Sequence, residues 1–299
     1  MATKNQQAVS TNVVAPALPT APPAYNKGYL DKFNNILRLY FNQLDNALRN
    51  AVANSVPYNL RVSQGSVVGA SPLYKFGLNP AIDGTEETVW TQGGDYPWPT
   101  SAAVVYVSSS SVADASPAGT GARTIRLQGL DTNYLEIEED IELLGQTQVA
   151  TTKQYLRVYR AFVLTSGSGG GAAGTVYVGT TGATAGVPAV VYANLSIGNQ
   201  TQMAVYTVPA GKTLYVDDLL FTAAISLANN FATVKFVTRD FGTNTFRTLV
   251  IQNIQSNTDF IPFAYPLKVL EKTDIECRAV TTSTSNEISA AFQGVLIDN

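Results

Sequence analysis

The sequence predicts a mainly β protein: one or two antiparallel β-sandwich or jelly-roll domains, preceded by an extended arm and a single amphipathic helix. Three observations predict this class. The 299 residues include 23 Gly and 14 Pro, scattered among β-branched runs, which is the composition of a chain with many turns. Short segments with period-two alternation recur beyond residue 100, each closed by a turn signal. Only one stretch, near the start, repeats its apolar residues at helical spacing.

Residues 1–28 are polar at first and then rich in Ala and Pro, ending with Pro19, Pro22 and Pro23. Such a segment is extended and holds no core of its own, so it reads as a tail or as an arm that orders along a partner surface. Residues 29–56 carry the helix, with its strongest pattern from Tyr29 to Val52. Leu30, Phe33, Leu37, Tyr40, Leu44, Ala47 and Ala51 alternate in steps of three and four. Phe41 and Leu48 widen the stripe, and Asp31, Asn34, Arg38, Asn42, Asp45 and Arg49 form the opposite face. Leu30, Phe33, Leu37, Tyr40 and Leu44 are therefore the candidate contact residues, either with another copy or protein or with the chain's own β-domain.

Residues 57–95 contain Pro57, Pro72, Pro80 and several glycines, and predict a linker with short strands. A first sandwich is expected over 96–180 and a second sandwich or jelly roll over 181–299. The clearest strand is Leu135–Leu143, with Leu135, Ile137, Ile141 and Leu143 on one face and Glu136, Glu138, Asp140 and Glu142 on the other. Arg157 and Arg160 are expected across a ladder from those acids. The run Gly167, Gly169, Gly170, Gly171, Gly174 reads either as a hairpin tip inside the first sandwich or as the boundary to the second. It opens no helix and no Lys-Ser/Thr pair follows it, so it is not a phosphate loop.

The chemistry on offer is narrow. Histidine is absent, which removes the usual general base, the Ser-His and Cys-His pairs and the commonest transition-metal ligand. Cys277, the single cysteine, falls on the apolar parity of its segment and reads as a buried thiol; alone it supports neither an intrachain disulfide nor a multi-cysteine zinc site. Asp217 and Asp218 are adjacent, so in a strand they face opposite ways and cannot straddle one bond. The acid row of Leu135–Leu143 is the remaining carboxylate set, and a solvated sheet face explains it. No catalytic, cofactor or metal residue is expected. Net charge is −3, with no basic block to attract nucleic acid. No apolar stretch approaches the ~18 residues of a membrane span, and the first residues lack the apolar core of an export signal, so synthesis in a cytoplasm is expected. Trp90, Tyr96 and Trp98 cluster in one turn-rich stretch. They are candidates for contact with a glycan or a neighbouring subunit, or for plugging the end of a sandwich.

The stretch Gly119-Thr-Gly-Ala-Arg-Thr-Ile-Arg-Leu-Gln-Gly-Leu-Asp131, followed by Glu136–Leu144 and Tyr155-Leu-Arg-Val-Tyr-Arg160, resembles a β-domain of structural (virion) proteins of marine tailed bacteriophages. Tyr29–Asn46 is similar to a short helical segment in such proteins, so the resemblance covers about residues 25–180. It implies a non-enzymatic virion protein. The leading expectation is a capsid decoration or head-fibre subunit, anchored by arm and helix, forming a homo-oligomer, in particular a trimer, and contacting the major capsid protein or another virion protein. The runner-up is a tail adaptor, nozzle or fibre component, and the third reading is a carbohydrate-binding adhesin. Neither nucleic acid nor a membrane is an expected partner.

Overall fold

Asn26 starts the helix that the apolar repeat predicts. Its side chain accepts a hydrogen bond from the Tyr29 backbone N–H at 3.1 Å, satisfying one of the unpaired donors of the first turn. In the computed structural model, which describes residues 16–20, 22–225, 230–255, 257–282 and 285–299, helix α1 then runs Lys27–Ser55. It outruns the expected Val52 by three residues and stops before Pro57, because the residue ahead of a proline is pushed out of the helical region; Val56 is extended. A short helix α2, Tyr58–Ser63, follows. Most of the arm expected over 1–28 lies outside the described residues. Residues 16–20 and 22–26 form neither helix nor strand, and the Tyr29 hydroxyl donates to the Pro19 carbonyl at 3.1 Å.

The chain divides after Val68, and the second unit runs Gly69–Asn299. Its strands, in chain order, begin with β1 (Ala70–Ile82), β2 (Glu87–Thr88), β3 (Ala103–Ser109), β4 (Ala122–Leu130), β5 (Glu136–Glu142), β6 (Val149–Tyr155), β7 (Arg157–Ser166), β8 (Val176–Gly179) and β9 (Val191–Leu195). They continue with β10 (Val205–Thr207), β11 (Lys212–Ala224), β12 (Ala232–Arg239), β13 (Arg247–Ile254), β14 (Thr258–Val269), β15 (Asp274–Thr281) and β16 (Asn286–Asp298). The protein is thus mainly β, with antiparallel sheets, as predicted.

Two cores organise the sheets. One sandwich faces the sheet β1-β16-β11-β14 against β10-β15-β12-β13, with β2 also paired to β15. Leu214, Phe221, Phe236, Cys277 and Phe292 fill the space between them. The other faces β6-β3-β8-β9 against β5-β4-β7, over Val107, Ile125, Leu127, Leu143 and Val178. All strands of this second sandwich come from between β2 and β10, so it is inserted into the first. β10 serves both: Val205 belongs to the inserted core, and Tyr206, with Ala204 just ahead of the strand, to the other.

This arrangement differs from the sequence expectation in two places. Residues 57–95 hold no mere linker: β1 is a 13-residue strand paired in register with the last strand, from Ala70↔Ile297 to Leu78↔Ser289. Its prolines are tolerated because β1 is an edge strand, where a missing N–H costs no ladder bond. Gly77 is required by close approach, since a Cβ there would sit 2.2 Å from the Val89 carbonyl oxygen. The expected division at 180/181 also fails, because β8 pairs with β3 and β9 with β8. The glycine run is therefore a loop inside the inserted sandwich. Asp114, fully buried, fastens it by accepting from Ala122 N and Ala173 N at 2.7 Å, Gly174 N at 3.0 Å and Ser109 Oγ at 2.6 Å.

Candidate functional site

The α1 stripe is unfinished surface. Leu30 is exposed, Phe33, Leu37, Tyr40 and Leu44 are half-buried, and no α1 residue with a described side chain is buried. Phe41 is 58% exposed and Leu48 56%. The polar face is internally tied: Arg49 pairs with Asp45 at 2.9 Å one turn earlier, and Arg38 donates to Asn35 at 3.0 Å. Helices of globular proteins draw most of their stability from burying such a face, and this one extends over about 43 Å at 1.5 Å per residue. Chemically the surface offers only apolar contact.

Of the three clustered aromatics, two are withdrawn from any ligand. Trp90 and Tyr96 are each 3% exposed, belong to the inserted core and meet edge to face at 5.3 Å. Trp90 Nε1 donates to the Gly94 carbonyl at 2.9 Å and the Tyr96 hydroxyl to the Val158 carbonyl at 3.0 Å. The expectation that they contact a glycan or a subunit is therefore corrected: they plug the junction of the two sandwiches. Burial pushes the Tyr96 phenol well above its ordinary value. Trp98 is different. It is half-buried, packs on Tyr96 at 4.8 Å, and the guanidinium carbons of Arg157 and Arg239 lie 5.2 and 5.1 Å from its ring centroid.

Those arginines converge on one carboxylate. Arg157, from β7 of the inserted sandwich, donates Nε to Asp274 Oδ1 at 2.9 Å and Nη2 to Oδ2 at 3.0 Å; both side chains are 6% exposed. Arg239 of β12 donates Nη2 to Oδ2 at 2.6 Å, and Thr207 Oγ1 donates to Oδ1 at 2.6 Å. Arg157 also donates Nη1 to the Pro99 and Leu156 carbonyls. The expected placement of Arg157 opposite the acid row is thus wrong, because β4, not β7, lies beside β5. Arg126 of β4 takes that role, gripping Asp140 in a bidentate pair at 2.7 and 2.8 Å that holds the Asp140 carboxyl below its ordinary value. Arg160 instead donates to the Tyr74 carbonyl at 3.0 Å.

The remaining reactive groups are occupied or buried. Cys277 is fully buried and its thiol is pushed far up by desolvation. A bulge between Val216 and Asp218 leaves Asp217 outside the ladder, while Asp218 accepts from Gln293 Nε2 at 2.6 Å. Burial and the neighbouring Asp218 raise the Asp217 carboxyl. Among the described residues no group of three or more His, Cys, Asp or Glu is placed to hold a metal, and no helix is long and apolar enough to cross a membrane.

The chain is a two-sandwich β unit and, as a separate unit, an amphipathic helix none of whose described side chains is buried. No family model matches the chain, and no curated protein matches it. Among solved structures it is similar to the VP2 subviral particle of infectious bursal disease virus, at 9% identity over 81% of this chain and 78% of that one, with a TM-score of 0.20. The Gx strain of the same virus gives 12% identity, the same coverages and a TM-score of 0.21. At these values the superposition is loose, and the functional reading rests on the chain's own residues.

Proposed function

We propose that this chain is a non-enzymatic structural subunit of a virus particle of the tailed-phage kind, a capsid decoration or head-fibre protein. In this reading the arm and α1 attach it, as a homotrimer, to the major capsid protein or another virion protein, and the sandwiches are displayed. The observation that carries the reading is the α1 stripe: Leu30, Phe33, Leu37, Tyr40 and Leu44 sit at steps of three and four on a helix with no buried side chain described. A helix so exposed gains its order by burial against another molecule. The similarity of Gly119–Asp131, Glu136–Leu144 and Tyr155–Arg160 to marine phage virion proteins supports the same reading. So does a sequence without histidine, in which the best-placed acids are held by Arg126, Arg157 and Arg239.

The test is a fragment of residues 69–299, which holds both cores. It is expected to melt cooperatively yet fail to join particles lacking the native copy. Recruitment of the fragment at full occupancy would overturn attachment through the arm and helix. Copy number in whole particles separates the two virion readings: hundreds place the protein on the head, six or twelve on the tail.

A further inference from the structure

A cavity of about 250 Å³ opens beside Trp98, where the β4–β5 turn, the β12–β13 turn and the β14–β15 turn meet. It is small beside the ~300–1,000 Å³ of sites for drug-sized ligands, so it suits one sugar ring or a group of similar size. Its charge is unbalanced. Arg157, Arg239 and Lys272 bring three positive charges, and Asp274 supplies one negative charge already shared by both guanidinium groups. Asp240 at the rim is engaged by Arg247.

Lys272 is the telling residue. Its Nζ lies 5.0 Å from the Phe241 ring centroid and 5.8 Å from that of Tyr134, and it meets no hydrogen-bond acceptor among the described residues. An ammonium with three unused donors facing a cavity is built to receive an anion. Its backbone is held at φ 59°, and that of Tyr134 at φ 64°. Two bulky residues in the left-handed region, with side chains meeting at one cavity, mark a conformation maintained at some energetic cost. Phe241, 60% exposed, offers an apolar ring edge beside them, and the Gly242-Thr243-Asn244 turn adds small polar groups.

We propose that this cavity binds an acidic monosaccharide unit, its carboxylate on Lys272 and Arg239 and its C–H face on Phe241 and Tyr134. The inference does not rest on the virion reading. An aromatic wall with a cationic floor matches a ligand that is at once apolar on one face and anionic at one end, whereas a bare inorganic anion has no use for the rings.

The experiment titrates the full chain with methyl glucuronide, methyl glucoside, N-acetylglutamate and inorganic phosphate, following heat and the tryptophan emission, in which Trp98 borders the cavity and Trp90 is buried away from it. Glucuronide is expected to saturate and to be displaced by none of the other three at equal concentration. Lys272→Met is expected to weaken it at least about tenfold, as does loss of a charge-assisted hydrogen bond generally. Among the described residues the Lys272 ammonium meets only the Phe241 and Tyr134 rings, so the variant should melt within a few degrees of wild type, and a Lys272→Arg variant, which keeps the charge over the rings, should keep glucuronide binding. Equal binding of glucoside, phosphate or N-acetylglutamate, or undiminished glucuronide binding by Lys272→Met, would overturn the proposal.

Discussion

Replacing Asp274 by Asn removes one charge at almost constant shape and leaves Arg157 buried without its counterion. The pair lies at 6% exposure on both sides and bridges the two sandwiches, so solvent screening does little to soften the loss. Breaking a buried pair from one side costs about 3–5 kcal/mol. For a unit of this size each kcal/mol lowers the melting temperature by about 2–4 °C, so Asp274→Asn should melt roughly 6–20 °C below wild type. Calorimetry at neutral pH measures this directly. The second arm of the test is Asp274→Asn with Arg157→Met, which removes the more deeply buried of the two guanidinium charges left without a carboxylate, Arg239 being 20% exposed, and should recover part of the loss. A shift under about 2 °C for the single variant, or a double variant less stable than the single one, would show that the cluster does not hold the junction.

Two further outcomes follow from the same geometry. Burial pushes the Glu276 carboxyl above its ordinary value, against the opposing pull of Arg278 and of hydrogen bonds from Thr88 and Trp98. The folded state therefore keeps this proton to higher pH than the unfolded state, so the associated stability is full below the unfolded pKa and declines as pH rises through the folded one. The melting temperature of wild type minus that of Glu276→Gln should fall as pH rises above the ordinary carboxylate range; a difference that grows with pH contradicts the assignment. Gly77→Ala forces a Cβ onto the backbone of Val89 and Ala204, at 2.2 and 2.3 Å, and should cost several times more stability than Gly84→Ala, whose Cβ meets nothing within 4 Å. Equal melting of the two variants would show that β1 does not pack as described.

How much of this was legible in the sequence depended on where each strand sits. β4 and β5 were readable because one face is buried and the other is acidic or polar, so parity shows. β1 and β14 were not: Pro72 and Pro80 in one, Pro262 and Pro266 in the other, look like breakers, yet both are edge strands of one sheet. The insertion was hidden for a related reason, since the partner of β1 is the last strand of the chain and no local signal announces it. The α1 stripe was legible residue by residue, because a helix writes its surface at fixed spacing. The cavity at Trp98 was not. Arg157 and Asp274 are 117 residues apart, and proximity in sequence pointed Arg157 to the wrong carboxylates. The sequence marks Trp90, Tyr96 and Trp98 alike, and only the fold shows that Trp90 and Tyr96 turn inward while Trp98 borders the cavity.

Whether the α1 stripe meets another molecule is decided by sedimentation velocity of the full chain against Leu37→Asp with Leu44→Asp. Two charges in an apolar seam carry a desolvation cost of several kcal/mol, which the contact should not survive. The wild type is expected to sediment as a trimer and the double variant as a monomer, with the β circular-dichroism signal and melting of the sandwiches unchanged. A double variant that keeps the wild-type mass, or that unfolds the whole chain, would contradict it.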